Sequence, residues 1–90
     1  MQRSAAETIA LKALAHLAAE GDPLVSFLTL SGLELDDLCA RAGHPELLTG
    51  VIDFLLADDS LCERFLAAEG LDPQMLHAAR RALPGMASDA

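Results

Sequence analysis

Ninety residues and 9.5 kDa suffice for one domain and not two. Leu (18) and Ala (17) dominate, with two Val, two Ile, three Thr and neither Trp nor Tyr, a balance that predicts an all-α fold. Fourteen acidic against six basic residues give a net charge of −8 and exclude nucleic acid and anionic membranes as expected partners, because phosphate binding needs clustered Lys and Arg.

The expected helices follow from their punctuation. Ser4-Ala5-Ala6-Glu7 has the spacing of a capping box and predicts a first helix running to about Glu20, closed by Gly21. Its polar residues Ser4, Thr8, Lys12, His16 and Glu20 recur every fourth position, so a narrow wet stripe on a mostly buried helix is expected. Asp22-Pro23 opens a second helix that ends near Ser31, at Gly32. A third is expected over about Leu35 to Ala42, stopping at Gly43. Pro45 opens a strongly apolar fourth helix through Val51, Ile52 and Leu55. Ser60-Leu61-Cys62-Glu63, a second capping box, begins a fifth that ends before Gly70. Asp72-Pro73 opens a sixth, which Pro84-Gly85 terminates. Residues 1–3 and 85–90 are expected to be flexible termini around a domain spanning 4–84.

Residues 17–42 laid over 55–80 without a gap give eight identities in 26 positions, among them Phe27/Phe65, Leu28/Leu66, Gly32/Gly70, Leu33/Leu71 and Leu38/Leu76. The chain therefore reads as two half-repeats, about 4–43 and 44–84, packed face to face. Gly followed by Leu is the signature of a helix end where Gly turns left-handed and the next apolar residue folds back. Positive φ is expected at Gly32 and Gly70. The first and fourth helices are expected to form the core, with Ile9, Leu17, Phe27, Leu28, Val51, Ile52, Leu55, Phe65, Leu66 and Leu76 buried.

The stretches AETIALKALAHLAAE, FLTLSGL and DFLLADDSLCERFLAAEGLDP resemble a family of short, Leu/Ala-rich bacterial proteins known only as a domain of unknown function. The likeness covers about residues 5–83. It implies no activity, cofactor or site residue.

Candidate chemistry is sparse. Cys39, His44, Cys62 and His77 hold the right atoms for zinc but lack the tightly spaced pairs that grip one ion; the alternative is two small core cysteines, a histidine at a helix start and a histidine facing water. Lys12, His16 and Glu20 form a row in which Glu20 could raise the basicity of His16, yet no nucleophile lies within a turn, and a solvated charge stripe explains them. The doublets Asp36-Asp37 and Asp58-Asp59 suit helix starts and not a calcium loop. Gly50 lies inside the fourth helix, where Gly costs about 1 kcal/mol against Ala. Either it floors a groove, or it admits a close crossing with the first helix at Ala6, Ala10 or Ala13.

Charge and hydropathy point toward binding. Between Ala13 and Glu63 there are ten acids and one base, Arg41. Apolar residues and glycine make 53 of the 90, above the usual ~45–50%. The expected function is a small acidic interaction module, an adaptor or regulator, whose protein partner is basic or amphipathic, with Glu34, Asp36 and Asp37 as steering residues. The alternative is a small enzyme or small-ligand binder using a pocket between the halves. No catalytic, cofactor-binding or metal residues are assigned, and no enzyme activity is expected. A cytoplasmic monomer or weak homodimer is expected, since two cysteines make no disulfide scaffold and no signal peptide or membrane-spanning run is visible.

Overall fold

Six helices follow one another in the order the punctuating residues set: α1 Arg3–Glu20, α2 Asp22–Ser31, α3 Leu35–Ala40, α4 Pro45–Ala57, α5 Asp59–Glu69 and α6 Pro73–Ala82. They come from a computed structural model that describes residues 1–83, among which there is no strand. The expected stop at Pro84-Gly85 and the tail over 85–90 lie outside the described residues. The Cα radius of gyration is 12.1 Å, against about 12 Å for a compact chain of this length.

Neither expected capping box forms. α1 begins at Arg3, so residue 3 belongs to the helix. Glu7 does not cap; it holds Arg3 at 3.3 Å, and the Ser4 carbonyl accepts from Thr8 Oγ1. At α5 the Asp58 carboxylate, a stronger acceptor than the Ser60 hydroxyl, takes the Leu61 N–H at 3.1 Å. Ser60 then accepts from Arg64. Asp22 is the first residue of α2 and makes no cap bond. Asp72 caps α6 as expected, accepting from the Met75 N–H at 3.0 Å.

α3 stops two residues early. Pro45 disfavours helical dihedrals at His44, which is extended (φ −78°, ψ 132°). The chain leaves the helix at Arg41, whose N–H is shared by the Asp37 and Leu38 carbonyls. Gly43 has no positive φ and does not act as a left-handed stop.

Gly32 (φ 74°) and Gly70 (φ 67°) both turn left-handed as expected. At each, two successive N–H groups donate to one carbonyl: Gly32 and Leu33 to Leu28 O, Gly70 and Leu71 to Leu66 O. The reversal is the same, 38 residues apart.

α1 packs on α2, α4 and α6, and α4 packs also on α5 and α6. Ala6, Ile9, Ala10, Ala13 and Leu17 form one buried face of α1, in one core with Leu47, Leu48, Val51, Ile52 and Leu55 of α4. The core residues expected from sequence are buried, except Leu28, which is half-buried. The rest of α1 departs from expectation. Ala5, Leu11, Ala15, Ala18 and Ala19 are exposed, so the helix is not mostly buried. An exposed Ala carries little penalty, and Ala-richness therefore does not report burial. α6 packs on both long helices, while α3 makes no comparable contact with either; the two halves are packed unequally.

Candidate functional site

The exposed face of α1 and the short α3 enclose an open apolar groove of about 290 Å³. Leu11, Ala15 and Ala18 form one wall, Leu35 and Cys39 the other, with Leu24 of α2 between them. Leu11 is 43% and Leu35 55% exposed. Val25 and Leu30, exposed by 62% and 76%, extend the apolar surface of α2. The helical periods explain the groove: α1 buries one face in the core and turns a second apolar face outward, where α3 is too short to cover it.

Glu34, Asp36 and Asp37 come together at the α3 start, all exposed. Two of them have local work. The Glu34 carboxylate accepts from the Asp37 N–H, and Asp37 Oδ2 accepts from the Glu34 N–H at 3.3 Å, a reciprocal box. Asp36 is in the first helical turn and outside that box. Leu35, in the same turn, lines the groove, so the acids border its apolar wall.

A second hollow, about 440 Å³, opens between α2, the α3–α4 turn and α4. Phe27, Leu33, Leu47 and Gly50 contribute its apolar wall, and Ser31, Arg41, His44 and Glu46 its polar part. The expected close crossing of Gly50 with α1 is absent. A Cβ on Gly50 would meet only the Phe27 ring, at 3.9 Å.

His16 is not on a wet stripe: its side chain is 14% exposed and its ring meets Phe65 edge-on. Nε2 lies 2.6 Å from Glu20 Oε2 but out of line for a hydrogen bond. Glu20 is held instead by Arg64, whose Nε and Nη2 donate to both carboxylate oxygens at 2.9–3.2 Å. Those bonds hold the Glu20 carboxyl below its ordinary pKa. Lys12 turns to Glu69, 3.9 Å away. The sequence pattern missed Arg64 and Glu69 because both partners are distant in the chain.

Among the described residues no three His, Cys, Asp or Glu side chains converge as metal ligands. Cys39 is exposed, contrary to the expected core position: it stands on the face of α3 that lines the groove. Cys62 is half-buried, and burial, with Asp59 and Glu63 nearby, pushes its thiol pKa up. No helix among the described residues is long and apolar enough to cross a membrane.

The model of the family described as "Protein of unknown function (DUF3572)" matches residues 3–86. No curated protein and no solved structure matches the chain.

Proposed function

The chain belongs to the DUF3572 family of proteins of unknown function, and we propose that it is a small acidic interaction module, an adaptor or regulator, that docks a basic amphipathic helix of a partner protein in the groove between α1 and α3. One observation carries the proposal: an open, almost wholly apolar groove lies beside the acidic start of α3. Each exposed leucine that a partner covers contributes about 1–2 kcal/mol. The acids act mainly on the rate of encounter. The module is cytoplasmic, bacterial, built from two copies of one unit, and works without catalysis, cofactor or metal.

The test is a titration with a synthetic Leu–Lys amphipathic helix and its Leu–Glu counterpart. The basic helix is expected to bind, with an association rate that falls as salt rises, and the acidic helix is not. Asp36→Lys is the clean charge reversal, because Glu34 and Asp37 also hold α3 together. It is expected to slow association and flatten the salt dependence. Equal binding of both helices, or a rate indifferent to salt and to Asp36→Lys, contradicts the proposal.

A second reading, a small-ligand binder, is favoured by one feature. The hollow of about 440 Å³ is lined by Phe27, Ser31, Leu33 and Arg41 on one side and by His44, Glu46, Leu47 and Gly50 on the other.

A further inference from the structure

We propose that the cleft between α2, the α3–α4 turn and α4 binds a small carboxylic acid with an apolar body, its carboxylate on Arg41 and its body over Phe27 and Gly50. The cleft, about 440 Å³, is in the range of small-molecule sites, which pair an apolar wall with a few polar groups.

Gly50 is the first argument. It is in a helix interior, where Gly is unfavourable. Its φ is not positive, so the backbone does not require it. No helix crosses close to it, since the Phe27 ring is the nearest group a Cβ would meet. What Gly50 provides is room above that ring. The 38-residue offset says the same: Gly50 and Ser31 stand at the positions of Lys12 and Glu69, which form an ion pair across α1 and α5. Small residues leave open in one place what charged side chains bridge in the other.

Arg41 is the second argument. Arg3, Lys12, Arg64 and Arg80 each pair with a carboxylate. Among the described residues Arg41 and Arg81 have no ion pair, although the chain has eight more acids than bases, and of the two it is Arg41 that stands at the cleft. It lines the cleft with His44, which supplies a second donor. Glu46 also lines the cleft, but it is in the first turn of α4, where the helix dipole accounts for an acid, and it is not paired with Arg41. A guanidinium facing an apolar wall is complementary to a carboxylate on an apolar body.

The test is NMR titration of the whole chain with decanoate and with decanol, both below self-association. Decanoate is expected to shift the Phe27, Arg41 and Gly50 signals and to bind about tenfold tighter than decanol, the effect of one charge-assisted bond. Arg41→Ala is expected to remove that preference and leave decanol binding intact. Gly50→Leu is expected to abolish both, with unchanged circular dichroism. Should that variant not fold, Gly50→Ala takes its place and must weaken decanoate at equal or higher Tm. The proposal is overturned if decanoate and decanol bind alike, if Gly50→Ala leaves decanoate affinity unchanged, or if shifts fall in the α1–α3 groove. It is also overturned if the Leu–Glu helix shifts the cleft signals and decanoate does not, which assigns the cleft to a protein segment.

Discussion

His16 meets the ring of Phe65 edge-on, with centroids 5.6 Å apart and planes at 66°. Phe54 and Phe27, each 38 residues from one member of that pair, meet at 5.5 Å and 73°. Each pair joins one half of the chain to the other. The 38-residue offset of the sequence carries one pair onto the other, and His16 then stands at the position of Phe54. Phe65 is fully buried and Phe27 is 5% exposed. Phe65→Ala and Phe27→Ala are each expected to cost about 3–5 kcal/mol in urea denaturation, a large share of the ~5–15 kcal/mol typical of a domain.

The glycines separate by dihedral. Gly32→Ala and Gly70→Ala are each expected to destabilise by about 1 kcal/mol, because both have positive φ. Gly50→Ala is expected to stabilise by about 0.5–1 kcal/mol, since its Cβ would land 3.9 Å from Phe27 in ordinary contact. Thermal denaturation of the three variants checks the sign of each change.

Acid weakens the clamp between α1 and α5. The Glu20 pKa is lowered, first by hydrogen bonds from Arg64 and then by the charges of Arg64 and His16. Folding therefore favours the ionised carboxylate. This stabilisation is complete above the ordinary carboxyl range and is lost as pH falls through the lowered folded value. Glu20→Gln is expected to flatten the acid limb of the stability–pH curve, measured by urea midpoints from pH 7 downward.

The two thiols are expected to react at different rates. Cys39 is exposed, whereas Cys62 is half-buried with a raised pKa, so it offers less thiolate. Iodoacetamide at neutral pH, read by peptide mass spectrometry, is expected to label Cys39 first.

Helix number, order and ends were largely legible because Pro, Gly and Asp act locally: Pro45, Gly32, Gly70 and Asp72 function where the sequence puts them. The start of α5 was misread because two chemically valid caps, Asp58 and Ser60, stood two residues apart and the carboxylate won; α1 begins after Gln2 with no side-chain cap, so no local signal marked its start. The acidic cluster was legible as a run of charge, but not the reciprocal bonds of Glu34 and Asp37. The groove was legible only as apolar excess. Its walls, Leu11 and Leu35, look like core residues until the length of α3 is known. Arg64 on Glu20 and Arg80 on Asp53 span 44 and 27 residues and leave no local pattern.

The central claim is that the α1–α3 groove is the docking site, and Cys39 reports on it from inside. The most direct measurement is the alkylation rate of Cys39 with and without saturating Leu–Lys helix, relative to Cys62. The wild-type rate at Cys39 is expected to drop about tenfold or more on occupancy. In Ala15→Lys, which places a cation in the groove from an exposed helical position, the peptide is expected to give no protection. Undiminished labelling of Cys39 at saturating peptide, or protection that survives Ala15→Lys, contradicts the account.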